Sequence, residues 1–408
     1  MGASRSLMTN QPYNSIAFRV LVAILWTQYT VMPLIKAVIE RLPYVNFLAE
    51  LFIPMSIILS AMACLPWFLR HIRGGDVGFY IGAVLVVLFS MVIHPITVDY
   101  LQEDWWRILV AAVPMYFIGV SFSLKDCKND LFWCSVFSVL GMFIFRLYLL
   151  NSGRELENDD MDAAYRMLPS IMYLIHYAYM KRKPIYYIIA AVLSTIIFIF
   201  GTRGPILCIL VYVSALILYI TVKSGSKKRI LLITLGIGVV LVIFSSDTLF
   251  VQFASVFSKL FGRMGFSTRI FDFILAGDIA QSKGREYLAK QAIAAIIENP
   301  AWGYGITADR AMFGIYPHNI VLELWCQYGV LIGTTVVIAI MVLTIIALVK
   351  TFKNKREFTF VLLFVSMIFV KLMISGTYTT ESYFYFTLGL FINIARSNFS
   401  LRGSFSRR

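Results

Sequence analysis

The chain alternates long apolar runs with short polar breaks. Twelve runs are long and apolar enough to cross a bilayer as helices, at roughly 16–35, 46–69, 77–96, 106–124, 131–150, 164–180, 185–201, 204–222, 230–247, 318–349, 358–374 and 382–395. A hydrocarbon core of about 30 Å takes about 20 residues of helix. The seventh and eighth runs are separated by only a Thr-Arg-Gly turn at 202–204. One break is different in kind. Residues 248–316 form a long segment with phenylalanines throughout (Phe250, Phe253, Phe257, Phe261, Phe266, Phe271, Phe273). Within it, GREYLAKQAIAAIIENP predicts a helix from Gly284, with Ile293, Ile296 and Ile297 on one face. Pro300 ends that helix and WGYG at 302–305 reads as a loop.

Composition turns this pattern into a class. Of 408 residues, 59% are hydrophobic and 14% charged, against about 45–50% and about 25% in soluble domains. Mean hydropathy is +0.78. Apolar surface on this scale aggregates in water, so the chain is an all-α polytopic membrane protein with about 12 transmembrane helices. Disordered, collagen-like and disulfide-scaffold classes are excluded. The five cysteines lie in or beside apolar segments without a CxxC pairing and read as buried thiols. The N-terminus lacks an apolar stretch ending in a cleavage site, so the first span is expected to serve as the targeting signal.

The net charge of +14 is distributed as a topology signal rather than as a nucleic-acid surface. Lys and Arg number 21 in one set of alternate loops and 6 in the short loops of the other. Long loops escape this rule, so the comparison leaves out 248–316. It predicts cytoplasmic termini, with 248–316 on the outer face, periplasmic in a diderm bacterial inner membrane. The expected organisation is a bundle of about nine helices over 1–247, a partly helical periplasmic loop over 248–317, and about three helices with a basic cytoplasmic tail over 318–408.

Phosphate-binding loops, dinucleotide fingerprints, HExxH and paired-cysteine metal sites are missing from the sequence, and no metal is expected. The candidate chemistry lies toward the outer face. Arg203, in FGTRGPIL, sits at the boundary between two spans, where an arginine usually has an anionic partner. Guanidinium suits phosphate or carboxylate; the alternative is snorkelling to headgroups. Arg263, Arg269 and Arg285 lie in the long outer segment. Any of them is either a solvated surface charge or a complement to Arg203, and Arg285 is favoured because a helix N-terminus attracts anions. His318, in YPHNIVLELWCQYGVLIG, opens the tenth span and is a candidate base near pH 7, or a structural histidine. Asn319 and Glu323 share one helical face with Gln327. Lys371, inside the eleventh span, is either functional or paired with a carboxylate for packing. Glu381, in the outer turn SGTYTTES, is placed to orient His318 or neutralise an arginine. The acidic loop 153–162 reads as solvated, and His94 and His176 as packing residues.

Three segments together resemble the bacterial O-antigen ligase and O-antigen polymerase superfamily: TRGPIL between two spans, GREYLAKQAIAAIIENPAWGYG in the large outer loop, and PHNIVLELWCQYGVLIG opening the next span. The resemblance implies a GT-C-type membrane glycosyltransferase that needs neither cofactor nor metal. It implies a donor glycan on undecaprenyl pyrophosphate and an acceptor that is either lipid A-core or another lipid-linked repeat unit. Membrane lipids surround it, with a flippase and a chain-length regulator as further partners. By position, Arg203 and Arg285 match the family's arginines and His318 its histidine, whereas Glu323 and Gln327 depart from the commoner glutamine-then-glutamate order. PHNIVLE is more similar to the polymerase branch; ligases of O-antigen, teichoic acid or capsule are the alternatives. A transporter or flippase is the alternative from another class, favoured by Lys371 alone, and its expected internal repeats are not evident.

Overall fold

A computed structural model describes residues 16–39, 49–108 apart from 66, 67, 70 and 71, then 112–122, 124–151, 159–199, 203–225 and 283–396, with short stretches between 255 and 268. The predicted ninth span at 230–247, most of the segment from 248 up to Lys283, and both chain ends lie outside the described residues.

The described residues are helical almost throughout, with no strand among them. In chain order the helices are α1 (Ile16–Thr27), α2 (Val31–Ile39), α3 (Ala49–Ala63), α4 (Gly74–Ile93), α5 (Val98–Arg107), α6 (Val113–Ser121), α7 (Leu124–Asn151), α8 (Asp159–Lys181), α9 (Pro184–Ile199), α10 (Arg203–Ser224), α11 (Lys283–Glu298), α12 (Ala308–Phe313), α13 (Ile320–Thr351), α14 (Lys355–Phe364), α15 (Val370–Ile374) and α16 (Ser382–Arg396). Five described segments are long and apolar enough to cross a membrane: Gly74–Ile93, Cys127–Leu147, Gly204–Lys223, Ile320–Thr351 and Lys355–Ile374. This is an all-α membrane architecture, with several expected spans divided. The first breaks at residues 28–30. The predicted fourth, 106–124, holds the nine-residue α6, which has Pro114 in its first turn, and it follows the amphipathic α5. The eleventh passes through a π-helical turn, Val365–Phe369, between α14 and α15.

α4 is patterned opposite to a helix of a soluble protein. Its buried residues are Asp76 and Ser90, while Leu85, Leu88, Phe89, Val92 and Ile93 point outward. That arrangement suits hydrocarbon, where apolar side chains face lipid and polar ones need partners inside. α6 and α16 cross in close contact: a side chain at Gly119 would strike the Phe386 carbonyl, and one at Gly389 the Tyr116 carbonyl. Small residues allow that backbone approach. The core is aromatic at its centre. Trp26 meets Tyr173, Phe364 and Tyr383 edge-on at 5.8, 6.5 and 5.6 Å, and its indole N–H donates to Ser135 Oγ at 3.0 Å.

Polar contacts gather the loops into two groups at opposite ends. At one end Arg19 donates to Asp130, Lys350 to the Ala395 carbonyl and Arg396 to Asp76, while Lys355 lies 4.0 Å from the Tyr179 ring and Lys223 lies 5.2 Å from the Phe352 ring. At the other, Thr307 meets Thr97, Arg310 meets Asp104, Tyr316 meets Ser375 and Lys371 meets Glu381.

Candidate functional site

The site is built around a break in α13. Asn319 caps this helix: its Oδ1 accepts from the Val321 and Leu322 amides at 2.9 and 3.3 Å, satisfying two otherwise orphaned donors. Gly329 then leaves helical geometry at φ 76°, ψ 166°. The freed backbone groups find partners in the loop after α11. The Tyr304 and Gly305 amides donate to the Cys326 and Gln327 carbonyls, each at 2.9 Å, and the Val330 amide donates to the Pro300 carbonyl at 2.7 Å. Buried backbone groups need such partners, and kinks form where they are supplied. A side chain at Gly329 would meet the Ala301 carbonyl, and one at Gly303 the Gln327 carbonyl. ENPAWGYG and WCQYG, distant in sequence, therefore fold as one unit.

Between them runs the segment 306–319, pinned along its length. At its start the Ile306 amide donates to Ser90 Oγ at 2.8 Å and Thr307 Oγ1 to the Thr97 carbonyl at 3.3 Å. Near its end Tyr316 donates its hydroxyl to the Ser375 carbonyl at 3.0 Å, and its ring meets that of His318 edge-on at 4.6 Å. Thr307 and His318 both hold left-handed backbone conformations, φ 65° and 56°. A side chain with a Cβ adopts that region at a cost and keeps it only where neighbours enforce it.

Under this segment lies a cluster of buried polar groups. Arg310 pairs with Asp104 at 2.5 Å and donates to Thr379 Oγ1. Thr379 donates to Asp104 at 3.2 Å and lies 3.0 Å from Thr377 Oγ1, which in turn donates to Glu323. Gln327 donates to Asp309 Oδ1 at 2.7 Å and accepts from Tyr378, whose hydroxyl is 2.9 Å from that of Tyr328. Asp309 and Glu323 are fully buried and Gln327 is 1% exposed. Burial lifts the Asp309 carboxyl above its ordinary range, and the Gln327 hydrogen bond and nearby Arg310 oppose this only in part. Asp309 Oδ2, Glu323 Oε2 and Arg310 Nε are buried without a hydrogen-bond partner among the described residues.

Lys371 and Glu381 pair with each other. The Lys371 ammonium also sits 5.1 Å from the Tyr165 ring. Gly204, the second residue of α10, approaches so closely that a side chain there would strike the Tyr165 hydroxyl. Through Tyr165 the start of α10, and with it the backbone of Arg203, comes to the Lys371–Glu381 pair. Ser375, just after α15, carries the contact on to Tyr316 and the His318 segment. Arg285 is the third residue of α11. The side chains of Arg203 and Arg285 and the whole of Arg269 lie outside the described residues, and Arg263 is exposed. Glu323 and Gln327 share a buried face of α13, as their spacing predicts. His176 is buried and 3.2 Å from Thr359 Oγ1, and the His94 ring packs on Gly305.

Asp104, Asp309, Arg310, Thr377, Thr379 and Tyr378 were not foreseen. The one local signal was an Asp-Arg pair between the glycine loop and His318 in ITADRAMFGIYPH.

These features define a helical membrane protein with a polar, locally strained site at one end of its bundle. The family model described as O-antigen ligase matches residues 188–334. That stretch holds Arg203, Arg285, His318, Asn319 and Glu323, so the resemblance to the O-antigen ligase and polymerase superfamily stands on a matching family. Members of that family are membrane enzymes of the glycosyltransferase type. No curated protein and no solved structure matches the chain.

Proposed function

We propose that the chain is a surface-polysaccharide polymerase of the O-antigen type. It transfers a glycan from undecaprenyl pyrophosphate to a hydroxyl of another lipid-linked repeat unit on the periplasmic face of the bacterial inner membrane. The observation that carries this reading is the placement of His318 on a segment pinned to the α11–loop–α13 unit, inside the span that matches the O-antigen ligase family. The acceptor hydroxyl oxygen attacks the anomeric carbon as the bond to the pyrophosphate oxygen breaks. The bonding pair leaves with the lipid diphosphate, and the hydroxyl proton passes to His318. A single displacement inverts the anomeric configuration. Arg203 and Arg285, with Arg263 and Arg269 in the same outer segment, stabilise the charge developing on the diphosphate. Preorganised cations in a water-poor site are effective in that role. Asn319 and Glu323 support His318 from α13, and the Lys371–Glu381 pair braces the wall beneath α10. No metal takes part in this reading.

The supporting topology has both termini in the cytoplasm. It divides the chain into a helical bundle over 1–247, a periplasmic segment over 248–317 and C-terminal helices over 318–408. A flippase supplies the donor and a chain-length regulator acts on the product. The ligase reading, with lipid A-core as acceptor, is favoured by the description of the matching family. The transporter reading relied on Lys371, whose charge is taken up by Glu381.

Complementation of a deletion strain, with surface glycan resolved on a gel, tests the reading. A deletion leaving core plus a single repeat unit, restored to a ladder by the wild-type chain, supports the polymerase. Bare core with long chains retained on undecaprenyl pyrophosphate indicates the ligase. A normal ladder from both His318→Ala and Arg203→Ala sinks the catalytic assignment.

A further inference from the structure

The segment that carries His318 holds two residues in left-handed backbone geometry, Thr307 and His318, with Gly314 also at positive φ between them. Such geometry relaxes unless contacts hold it. Its two ends are tied by Thr307–Thr97 and Tyr316–Ser375, and its middle by two side chains that point inward. Asp309 meets Gln327 of α13, and Arg310 meets Asp104 of α5 and Thr379 of the loop before α16. These residues belong to four separate stretches of chain, and the exposure of both acids is 1% or less. Among the described residues, three buried carboxyls, Asp104, Asp309 and Glu323, gather around the guanidinium of Arg310. Replacing them with apolar groups would be simpler if packing were their whole purpose, because buried polar networks are costly when partly satisfied.

We propose that Asp309 and Arg310 are positioning residues that fix His318: the Asp309–Gln327 hydrogen bond and the Arg310–Asp104–Thr379 contact clamp the strained segment to α13 and α5. The proposal rests on the reading of His318 as the base of the glycan transfer. Asp309 acts in it through geometry, as an acceptor for the Gln327 amide. An asparagine keeps that acceptor, whereas alanine removes it and leaves the amide buried without a partner.

The test uses the purified full-length chain in lipid nanodiscs, as wild type, Asp309→Ala, Asp309→Asn and Gln327→Met. Two quantities are read: kcat and KM for glycan extension on a lipid-linked repeat unit, and the rate at which diethyl pyrocarbonate labels each histidine by peptide mass spectrometry. His176, fully buried in the core, reports whether the bundle has folded. Asp309→Ala is expected to lower kcat on the order of 10²-fold, as small misplacements of a catalytic group do, with KM unchanged. His318 labels several-fold faster while His176 stays protected. Asp309→Asn restores both quantities. If Asp309→Ala exposes His176, Gln327→Met removes the same bond from the other side and is read in its place. Unchanged His318 labelling and kcat overturn the proposal, and so does an Asp309→Asn variant as impaired as Asp309→Ala. Faster His318 labelling in a chain whose wild type extends no glycan leaves the clamp standing and removes the polymerase reading.

Discussion

The two ends of the bundle each bury an acidic site, and they are built to different standards. At the end grouped with the basic loops, Asp76 is fully buried and fully satisfied. It accepts from the Tyr116 hydroxyl at 2.9 Å, from the Arg73 amide at 2.9 Å, and from Arg396 at 2.7 and 2.6 Å. One carboxylate, one guanidinium and the start of α4 are closed into a unit that ties α4 and α6 to the last turn of α16. At the opposite end, among the described residues, Asp104, Asp309 and Glu323 gather around one guanidinium and two carboxylate oxygens have no partner. Two left-handed residues, Thr307 and His318, lie beside the second site, and one, Arg182, lies in a basic loop of the first end. A site that only stabilises tends toward full satisfaction, while departures from local rules gather where function is built. Under the proposed function, the contrast is read as anchoring at the Asp76 end and chemistry at the His318 end.

The largest effect that would break this contrast is on activity. His318→Ala is expected to abolish the polysaccharide ladder, lowering the rate by about 10²–10⁴-fold for loss of a general base. Asp76→Asn is expected to leave a normal ladder. A ladder lost from Asp76→Asn at unchanged membrane abundance would place chemistry at the wrong end.

The next effect is on stability. Removing one partner of a buried ion pair costs about 3–5 kcal/mol. Arg396 is 27% exposed and regains water when unpaired, so Asp76→Ala is expected near the lower limit. Unfolding in mixed detergent measures it, with kcat per folded molecule unchanged. Gly329→Ala follows: its φ 76°, ψ 166° lies in a region open essentially to glycine alone, at a cost of roughly 1–3 kcal/mol to another residue, and the added methyl group meets the Ala301 carbonyl. This variant is expected to loosen the 300–305 loop, read as faster amide exchange at Tyr304 and Gly305.

The two ends also differ in how far the sequence announces them. Which loops gather together follows from the order of the helices along the chain. His318, Asn319 and Glu323 were visible because one helical face and one cap place them. The breaks at residues 28–30 and at Gly329 were not visible. Hydropathy measures length in oil, and a helix breaks there only when distant backbone groups take up its free amides and carbonyls. The Pro300 carbonyl does this for Val330 from 30 residues away. The Asp104–Arg310–Thr379 contact escaped for the same reason. Its members lie in three stretches of chain, each an ordinary polar residue when read alone.

The smallest effect concerns protonation of the partly satisfied site. Burial holds the Asp309 carboxyl above its ordinary value of 3.8, with Gln327 and Arg310 opposing. Between the ordinary value and the raised one, the folded segment binds a proton that the unfolded chain has released. Stability falls with rising pH wherever the folded state holds more protons, so the hold of Asp309 on its segment weakens as pH climbs through that interval. The groups around it are Glu323 and Gln327 of α13, Arg310 beside it, and Asp104 reached through Arg310. Asp309→Asn is expected to flatten the slope. Amide exchange of residues 306–319 against pH measures the slope, and His318 labelling follows the same curve. An unchanged slope in Asp309→Asn would mean that Asp309 is ionised in the folded chain. The His318 end would then tolerate a charge that at the other end takes Arg396, Tyr116 and a backbone amide to hold.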